Sequence, residues 1–123
     1  MDKAGIRRVI AFEERQGRSP REQAHNNPGF DLVSISPTGE LRHIEVKSTD
    51  GLWDEMGVGL SPRQLGFAED HPETFWLYVV EYATDDTRAR LFGIPDVASK
   101  IEEYRFDDGW AAVAERMPSH PPL

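Results

Sequence analysis

The sequence predicts an α+β fold in which helices flank a mixed central β-sheet. Three observations support this prediction: an amphipathic stretch near the start, two alternating stretches joined by a turn signal, and a long apolar and aromatic run later in the chain. The predicted order is helix, hairpin, helix, strand, strand and helix, which suits a sheet with helices packed on it. The chain has 123 residues, so we expect one domain over residues 1–116 and a tail over residues 117–123.

The first helix is expected over residues 3–16. Apolar residues recur at helical spacing through its first half, and Gly17 supplies a stop. Glu13 follows Ile6 at helical spacing, which places a carboxylate in the apolar stripe. The neighbouring Glu14 is the alternative for the inward-facing position.

A polar segment over residues 18–29 is rich in turn formers, so we expect a connecting loop there. A hairpin follows, because "SPTGE" has proline and glycine where a type I turn with a left-handed glycine bulge needs them. If residues 37–39 form the turn, Asp31 falls opposite Glu45. Lys47 then shares their face, and the reverse face of the hairpin is apolar.

The second half of the chain predicts the remaining elements. Ser61, Pro62 and Gln64 form an N-cap, a first-turn proline and a capping box, which open a helix through about Asp70. The run "TFWLYVVEYA" is expected to be the central strand, because it is apolar, aromatic and β-branched. "TRARLFGI" is expected to be the next strand. Helices are predicted from Pro95 through "DVASKIEEY" and over "DDGWAAVAERM".

Composition limits the partners and the compartment. The net charge is -8, whereas free-standing DNA binders usually present a basic surface. An acidic domain acting on nucleic acid would therefore need a divalent metal, a partner protein that holds the substrate, or both. The lack of cysteine excludes disulfides and thiolate metal sites. We expect a cytoplasmic location without membrane association, since neither a bilayer-spanning run nor a signal-peptide pattern is present.

The hairpin face carries the candidate chemistry. Carboxylates directly across a strand pair repel each other, so a positive charge is expected between Asp31 and Glu45. Mg²⁺ or Mn²⁺ suits such oxygen ligands, with a backbone carbonyl and waters completing the shell. Lys47 would position the attacking water and stabilise charge on a phosphate, and Glu13 would be an additional metal ligand. The set predicts phosphodiester hydrolysis.

Two further polar residues are candidates for accessory roles. His43 lies on the same strand face, just before Glu45, where it is either a flanking residue or a phosphate contact. Gln64 is either only a capping residue or a polar residue of the site as well. Trp53 lies in the Gly-rich loop after the hairpin, and such loops commonly cover substrates.

Asp31, followed after a short hairpin by Glu45-Val46-Lys47, resembles the PD-(D/E)xK nuclease superfamily. The core of that superfamily is restriction-endonuclease-like: a helix, a three-strand meander, a helix and a further strand. The segments "AFEERQGRSP", "PGFDLVS", "LRHIEVKS", "LSPRQLGFAED" and "FWLYVVEY" are similar to the NO VEIN C-terminal-like domain, over roughly residues 3–94.

The resemblance implies roles for these residues. Asp31 and Glu45 match the metal carboxylates, Lys47 the catalytic lysine and Glu13 the helix glutamate, while Gln64 falls near a polar residue of the second helix. It implies a metal-dependent endonuclease acting on DNA rather than RNA, with a helicase or defence protein as partner and a possible homodimer. The superfamily also has binding-only members, so a non-catalytic interaction module is the alternative. An acidic DNA mimic is a weaker alternative, because the negative charge is scattered along the chain.

Overall fold

The computed structural model describes residues 3–24 and 29–100. The predicted helix over "DDGWAAVAERM" and the tail lie outside these residues. Within them, no helix has the length and apolar character needed to cross a membrane. The elements in chain order are α1 Lys3–Arg15, β1 Ser19–Glu22, β2 Leu32–Ile35, β3 Leu41–Ser48, α2 Trp53–Met56, α3 Pro62–Asp70, β4 Phe75–Glu81, β5 Arg90–Pro95 and α4 Val97–Lys100.

The strands form one mixed sheet in the order β1-β2-β3-β4-β5. Neighbouring strands are antiparallel except for β3 and β4, which are parallel. A parallel pair needs a crossover connection, and the segment containing α2 and α3 supplies it. The α+β class and the mixed sheet are confirmed. The middle strand is β3, however, and the apolar run expected to be central forms β4, one position further toward the edge.

Helices cover both faces of the sheet and divide the core into two clusters. On one face, α1 packs on Ile44 and Val46 of β3, and on the other face α3 and α4 pack on Phe75 and Leu77 of β4. Successive side chains of a strand point to opposite faces. In β3, the residues with even numbers therefore face α1, and Glu45 faces the α3 side. This alternation decides on which side each candidate residue lies.

The hairpin joining β2 and β3 has the predicted register. Ser36 N donates a hydrogen bond to Glu40 O over 2.9 Å, and Val33 pairs with His43. Gly39 has φ +90°, in the left-handed region where a side chain would be strained. The turn residues thus set the register that brings the candidate site together.

The sequence interpretation missed two elements. Residues expected to form a loop form β1, which pairs with β2 at the edge of the sheet. Its side chains lack the alternation that marks a half-buried strand, and Pro20, which has no N–H to donate, is tolerated because β1 has a neighbour on one side only. The short α2 lies within the expected Gly-rich loop.

The start of β5 also differs from the prediction. Residues 87–89, expected to be strand, belong to turns in which Asp85 Oδ1 accepts hydrogen bonds from Thr87 N over 2.9 Å and Thr87 Oγ1 over 2.7 Å. Such local side-chain bonds favour turns over a sheet ladder. The strand therefore begins at Arg90.

Candidate active site

Asp31, Glu45 and Lys47 lie together at the open end of the hairpin. Asp31 N donates to Ile44 O over 2.8 Å, which continues the β2–β3 pairing by one residue. Asp31 Oδ2 in turn accepts a hydrogen bond from Val46 N over 2.9 Å. These two bonds fix the aspartate carboxylate against β3, beside the glutamate. The structure thus brings together the three residues that the hairpin register predicted.

Glu45 is a buried carboxyl group with little charge compensation. Glu45 is 4% exposed. Burial, together with the neighbouring Asp31, raises its pKa from 4.5 to about 8. Lys47 opposes this shift, with Nζ 3.4 Å from Glu45 Oε2. Near neutral pH, Glu45 therefore retains a proton in the protein without a cation.

The carboxylate oxygens at this site would supply only part of the coordination shell of a hard divalent cation. Asp31 and Glu45 offer two carboxylates whose mutual repulsion a cation would relieve. Across residues 3–24 and 29–100, no group of three or more His, Asp or Glu could hold a metal ion. Backbone oxygens and waters would therefore have to complete the coordination shell, as Mg²⁺ commonly permits.

Glu13 lies on the opposite face of the sheet from Glu45. Its carboxylate is fully buried on the α1 face, where Tyr78 Oη donates to Oε2 over 2.7 Å. Arg18 Nε is 3.3 Å from Oε1, and Arg42 Nη1 is 3.2 Å from Oε2. Burial and the Glu13 hydrogen bond raise the pKa of Tyr78, so this hydroxyl stays a donor. The prediction that Glu13 rather than Glu14 faces inward is confirmed. The structure places Glu13 on the α1 face and Glu45 on the α3 face of the sheet, so it does not bring Glu13 together with the hairpin carboxylates, and a role of Glu13 as a metal ligand is untested.

His43 is on the side of the sheet that the register predicted, within an aromatic cluster. Its ring centroid is 4.7 Å from that of Phe30 and 5.1 Å from that of Phe67. Nδ1 is 2.9 Å from Thr74 Oγ1. Burial and the nearby His71 lower the pKa of His43, so the imidazole is neutral at physiological pH. These contacts explain its position by packing, and phosphate contact stays a prediction.

Gln64 closes the capping box that the sequence predicted. Its Oε1 accepts from Ser61 N over 2.9 Å, and its backbone N donates to Ser61 Oγ over 3.2 Å. The side-chain oxygen is thereby committed to the N-terminus of α3. The capping alternative is confirmed, and a role of Gln64 in the site is untested.

The chain matches the family model described as "Protein NO VEIN, C-terminal" over residues 1–93. The chain belongs to this family. No curated protein matches it. A solved structure similar to this NO VEIN C-terminal domain is Hjc from Archaeoglobus fulgidus, a Holliday junction resolvase from an archaeal hyperthermophile. The TM-score is 0.56 at 18% identity, covering 76% of this chain and 75% of the resolvase. The likeness shows the fold alone, a mixed sheet with flanking helices that this domain shares with the resolvase.

Near the site, the NO VEIN C-terminal domain also places Glu81 and Phe92, which sequence reasoning missed, and Trp53, which the sequence placed in the loop after the hairpin. Glu81 is a further buried carboxylate on the α3 side, and its Oε2 accepts from Trp53 N over 3.0 Å. Trp53 packs on Phe92 with ring centroids 5.4 Å apart. Phe92 pairs with Val79, which pairs with Lys47, so these aromatic rings share a face with the candidate site. Finding them requires the parallel pairing of β3 and β4, which no local pattern reveals.

Proposed function

We propose that this domain is a metal-dependent endonuclease that hydrolyses phosphodiester bonds. One observation carries the proposal: the buried Glu45 lies beside Asp31 and 3.4 Å from Lys47 Nζ, and burial together with the Asp31 charge raises the pKa of Glu45 to about 8. Perturbed carboxyl pairs beside a lysine are typical of catalytic sites. The fold, shared with a Holliday junction resolvase, supports the same reaction class.

Each residue has a defined role in this proposal. Asp31 and Glu45 would hold Mg²⁺ or Mn²⁺, which when bound neutralises phosphate charge and promotes attack by water. Both carboxylates would have to be ionised to hold the cation, so Glu45 would have to lose its proton to the solvent. Lys47 Nζ, which is 3.4 Å from Glu45 Oε2, directs its positive charge at the phosphate oxygens and orients the attacking water. His43 is a flanking contact to the substrate.

The proposed substrate is DNA. The solved neighbour is described as a Holliday junction resolvase, so a four-way junction belongs among the first substrates to test. Cutting two strands of a junction would suit a homodimer, which supplies two copies of the site related by symmetry. The net charge of -8 opposes binding to phosphates. We therefore propose that a partner protein, such as a helicase or a defence component, supplies DNA affinity.

A cleavage assay tests the proposal. Four-way junctions, linear duplex, single-stranded DNA and RNA would be incubated with Mg²⁺, Mn²⁺ or chelator. The informative variants are Asp31→Asn, Glu45→Gln and Lys47→Met, each nearly isosteric with the native residue. We expect metal-dependent cleavage that falls by at least about a hundredfold in each variant, as for loss of one electrostatic catalytic group. Glu69→Gln, at an exposed position of α3, is the matched control.

A second function, a non-catalytic interaction module, is favoured by the acidic net charge and by the two-carboxylate donor set. Under this alternative, the folded protein cleaves no substrate with either metal, alone or with added DNA-binding partner. Cleavage that is equal in the wild type and in Glu45→Gln would indicate a contaminating nuclease and would also contradict our proposal.

A further inference from the structure

A cavity opens on the α1 face of the sheet, on the side away from Asp31 and Glu45. Its volume is about 410 Å³, which is in the range of pockets that enclose small organic ligands. Phe12 of α1 and Trp76 and Tyr78 of β4 contribute aromatic walls. Tyr78 pairs with Val46 and so belongs to the α1 face. The proposed phosphodiester chemistry uses none of these walls.

Arg42 brings unused hydrogen-bonding capacity to this cavity. Its Nη1 donates hydrogen bonds to Tyr78 Oη over 2.9 Å and to the Glu13 carboxylate. Nε is buried and has no hydrogen-bond partner among the described residues, although buried donors are nearly always paired. The guanidinium lies 4.2 Å from the ring centroid of Trp76, and the side chain is 19% exposed. Arg42 also lines the cavity, so its guanidinium is a group in this wall that an anion would contact.

The local charge favours an anion. The described residues that line the cavity include Arg18 and Arg42 and no acidic side chain. Glu13 is the one buried carboxylate that both arginines contact. Glu40, 3.8 Å from Arg18, is 67% exposed, and water therefore screens most of its effect. A positive site is thus retained on a chain whose net charge is -8.

Gly93 shapes the wall of the cavity. It lies directly across from Tyr78 in the β4–β5 pair. A Cβ at this position would lie 2.6 Å from Tyr78 Cε1 and 3.3 Å from Trp76 Cζ3. Any larger residue would displace the Tyr78 ring, whereas glycine lets both rings lie close to β5. Planar aromatic walls favour a planar ligand, because rings gain from offset or edge-to-face contact.

We propose that this cavity binds a small planar organic anion, with a carboxylate or phosphate on Arg42 and a ring against Trp76 and Phe12. Both an aromatic carboxylate and a nucleoside monophosphate have this chemistry. The site goes beyond the proposed nuclease function and is independent of it, since the sheet separates the two sites.

The test is an NMR titration of the ¹⁵N-labelled full chain in chelator, which keeps metal out of the other site. Probes are indole-3-carboxylate, the deoxynucleoside 5′-monophosphates, the matching nucleosides and inorganic phosphate. The readout is the indole N–H signal of Trp76, assigned with Trp76→Phe. We expect saturable shifts with the carboxylate or the monophosphates, at an affinity about tenfold above that of nucleoside or inorganic phosphate. The arm that saturates first identifies the source of the anion.

Two pairs of variants make the result specific. Arg42→Lys retains the charge near Glu13 but removes the guanidinium edge, so affinity should fall about tenfold, whereas Arg7→Lys at an exposed position of α1 should bind as the wild type does. Gln16→Trp fills the exposed rim of the cavity and should abolish binding, whereas Glu14→Trp should not. The absence of saturable shifts with any probe, or wild-type affinity in both Arg42→Lys and Gln16→Trp, would overturn the proposal. Neither result depends on whether the domain cleaves DNA.

Discussion

Two buried glutamates lie on opposite faces of one sheet, and their surroundings differ sharply. Glu13 on the α1 face is surrounded by Arg18, Arg42 and the hydroxyl of Tyr78. Glu45 on the α3 face has another carboxyl group as its neighbour and Lys47 as its compensating charge. Each is almost fully buried, so burial alone does not distinguish them.

The comparison separates a structural carboxylate from a candidate catalytic one. A buried charge that is fully paired holds elements together, here α1 with β1, β3 and β4. A buried carboxyl that is left short of positive charge raises its own pKa and costs stability when it ionises. Strongly perturbed carboxyl groups cluster at functional sites, so Glu45 is a candidate for chemistry rather than for folding alone.

The largest effect should come from removing the Glu13 carboxylate, which is paired with two arginines and a tyrosine hydroxyl. Glu13→Ala leaves two arginines and a tyrosine hydroxyl facing each other in the core, so we expect the free energy of unfolding to fall by about 3 to 5 kcal/mol. Urea denaturation followed by circular dichroism measures it. Glu14→Ala, next to it on the exposed side of α1, should change stability by less than about 0.5 kcal/mol. Equal losses in the free energy of unfolding of the two variants would contradict the structural role of Glu13.

The raised pKa of Glu45 should appear as a pH dependence of stability. The pKa of Glu45 is raised on folding, to about 8, so the folded state binds more protons than the unfolded state. This contribution to stability is fully present below about pH 4.5 and is lost as the pH rises through about 8. Glu45→Gln cannot ionise, so it should be more stable than the wild type above pH 8 by about 2 to 3 kcal/mol.

The measurement is chemical denaturation of both proteins in chelator at several pH values between 4 and 9. Below about pH 4.5 the difference should shrink, because the wild-type carboxyl is then neutral in both states. A variant that is less stable than the wild type at every pH would show that ionised Glu45 is well compensated, and the contrast with Glu13 would fail.

A divalent cation should relieve the repulsion between the Asp31 and Glu45 carboxyl groups. Mg²⁺ or Mn²⁺ at about five times its Kd would stabilise the folded protein by about 1 kcal/mol, seen as a rise of a few degrees in Tm. Asp31→Asn keeps an acceptor for Val46 N while removing the charge, so the rise should disappear in that variant. Glu69→Gln, exposed on α3, should respond as the wild type does. An undiminished rise in Asp31→Asn would place the bound metal elsewhere.

Local patterns were sufficient for the hairpin and for the site residues it carries. The turn residues of "SPTGE" set a register, and a register fixes which side chains share a face. The same reasoning could not place Glu13 relative to the hairpin carboxylates, because helical spacing shows which side of α1 faces the sheet but not which face of the sheet α1 covers. That choice depends on packing between elements distant in sequence. The edge strand β1 was missed because its side chains lack the alternation of a half-buried strand.

Pairing between distant strands also explains what was missed around the site. Glu81 and Phe92 come near the site face through the parallel contact of β3 with β4 and the next strand, β5. The apolar, aromatic and β-branched composition of β4 identified it as a buried strand but could not give its neighbours. A capping box, in contrast, is local, and Ser61 with Gln64 could be recognised in full from the sequence.

The smallest predicted effect concerns the N-terminal cap of α3 and tests whether Gln64 also acts in the candidate site. Ser61→Ala and Gln64→Ala should each lower the free energy of unfolding by about 1 kcal/mol, because each removes one half of the reciprocal bonds at the N-terminus of α3. If Gln64 only caps α3, the two variants should cleave DNA equally per folded molecule. Arg63→Ala, exposed in the same helical turn, is the control for both measurements. The two variants lose the same cap and should therefore be equally stable. If Gln64→Ala alone also loses about tenfold in cleavage, Gln64 belongs to the site with Asp31 and Glu45.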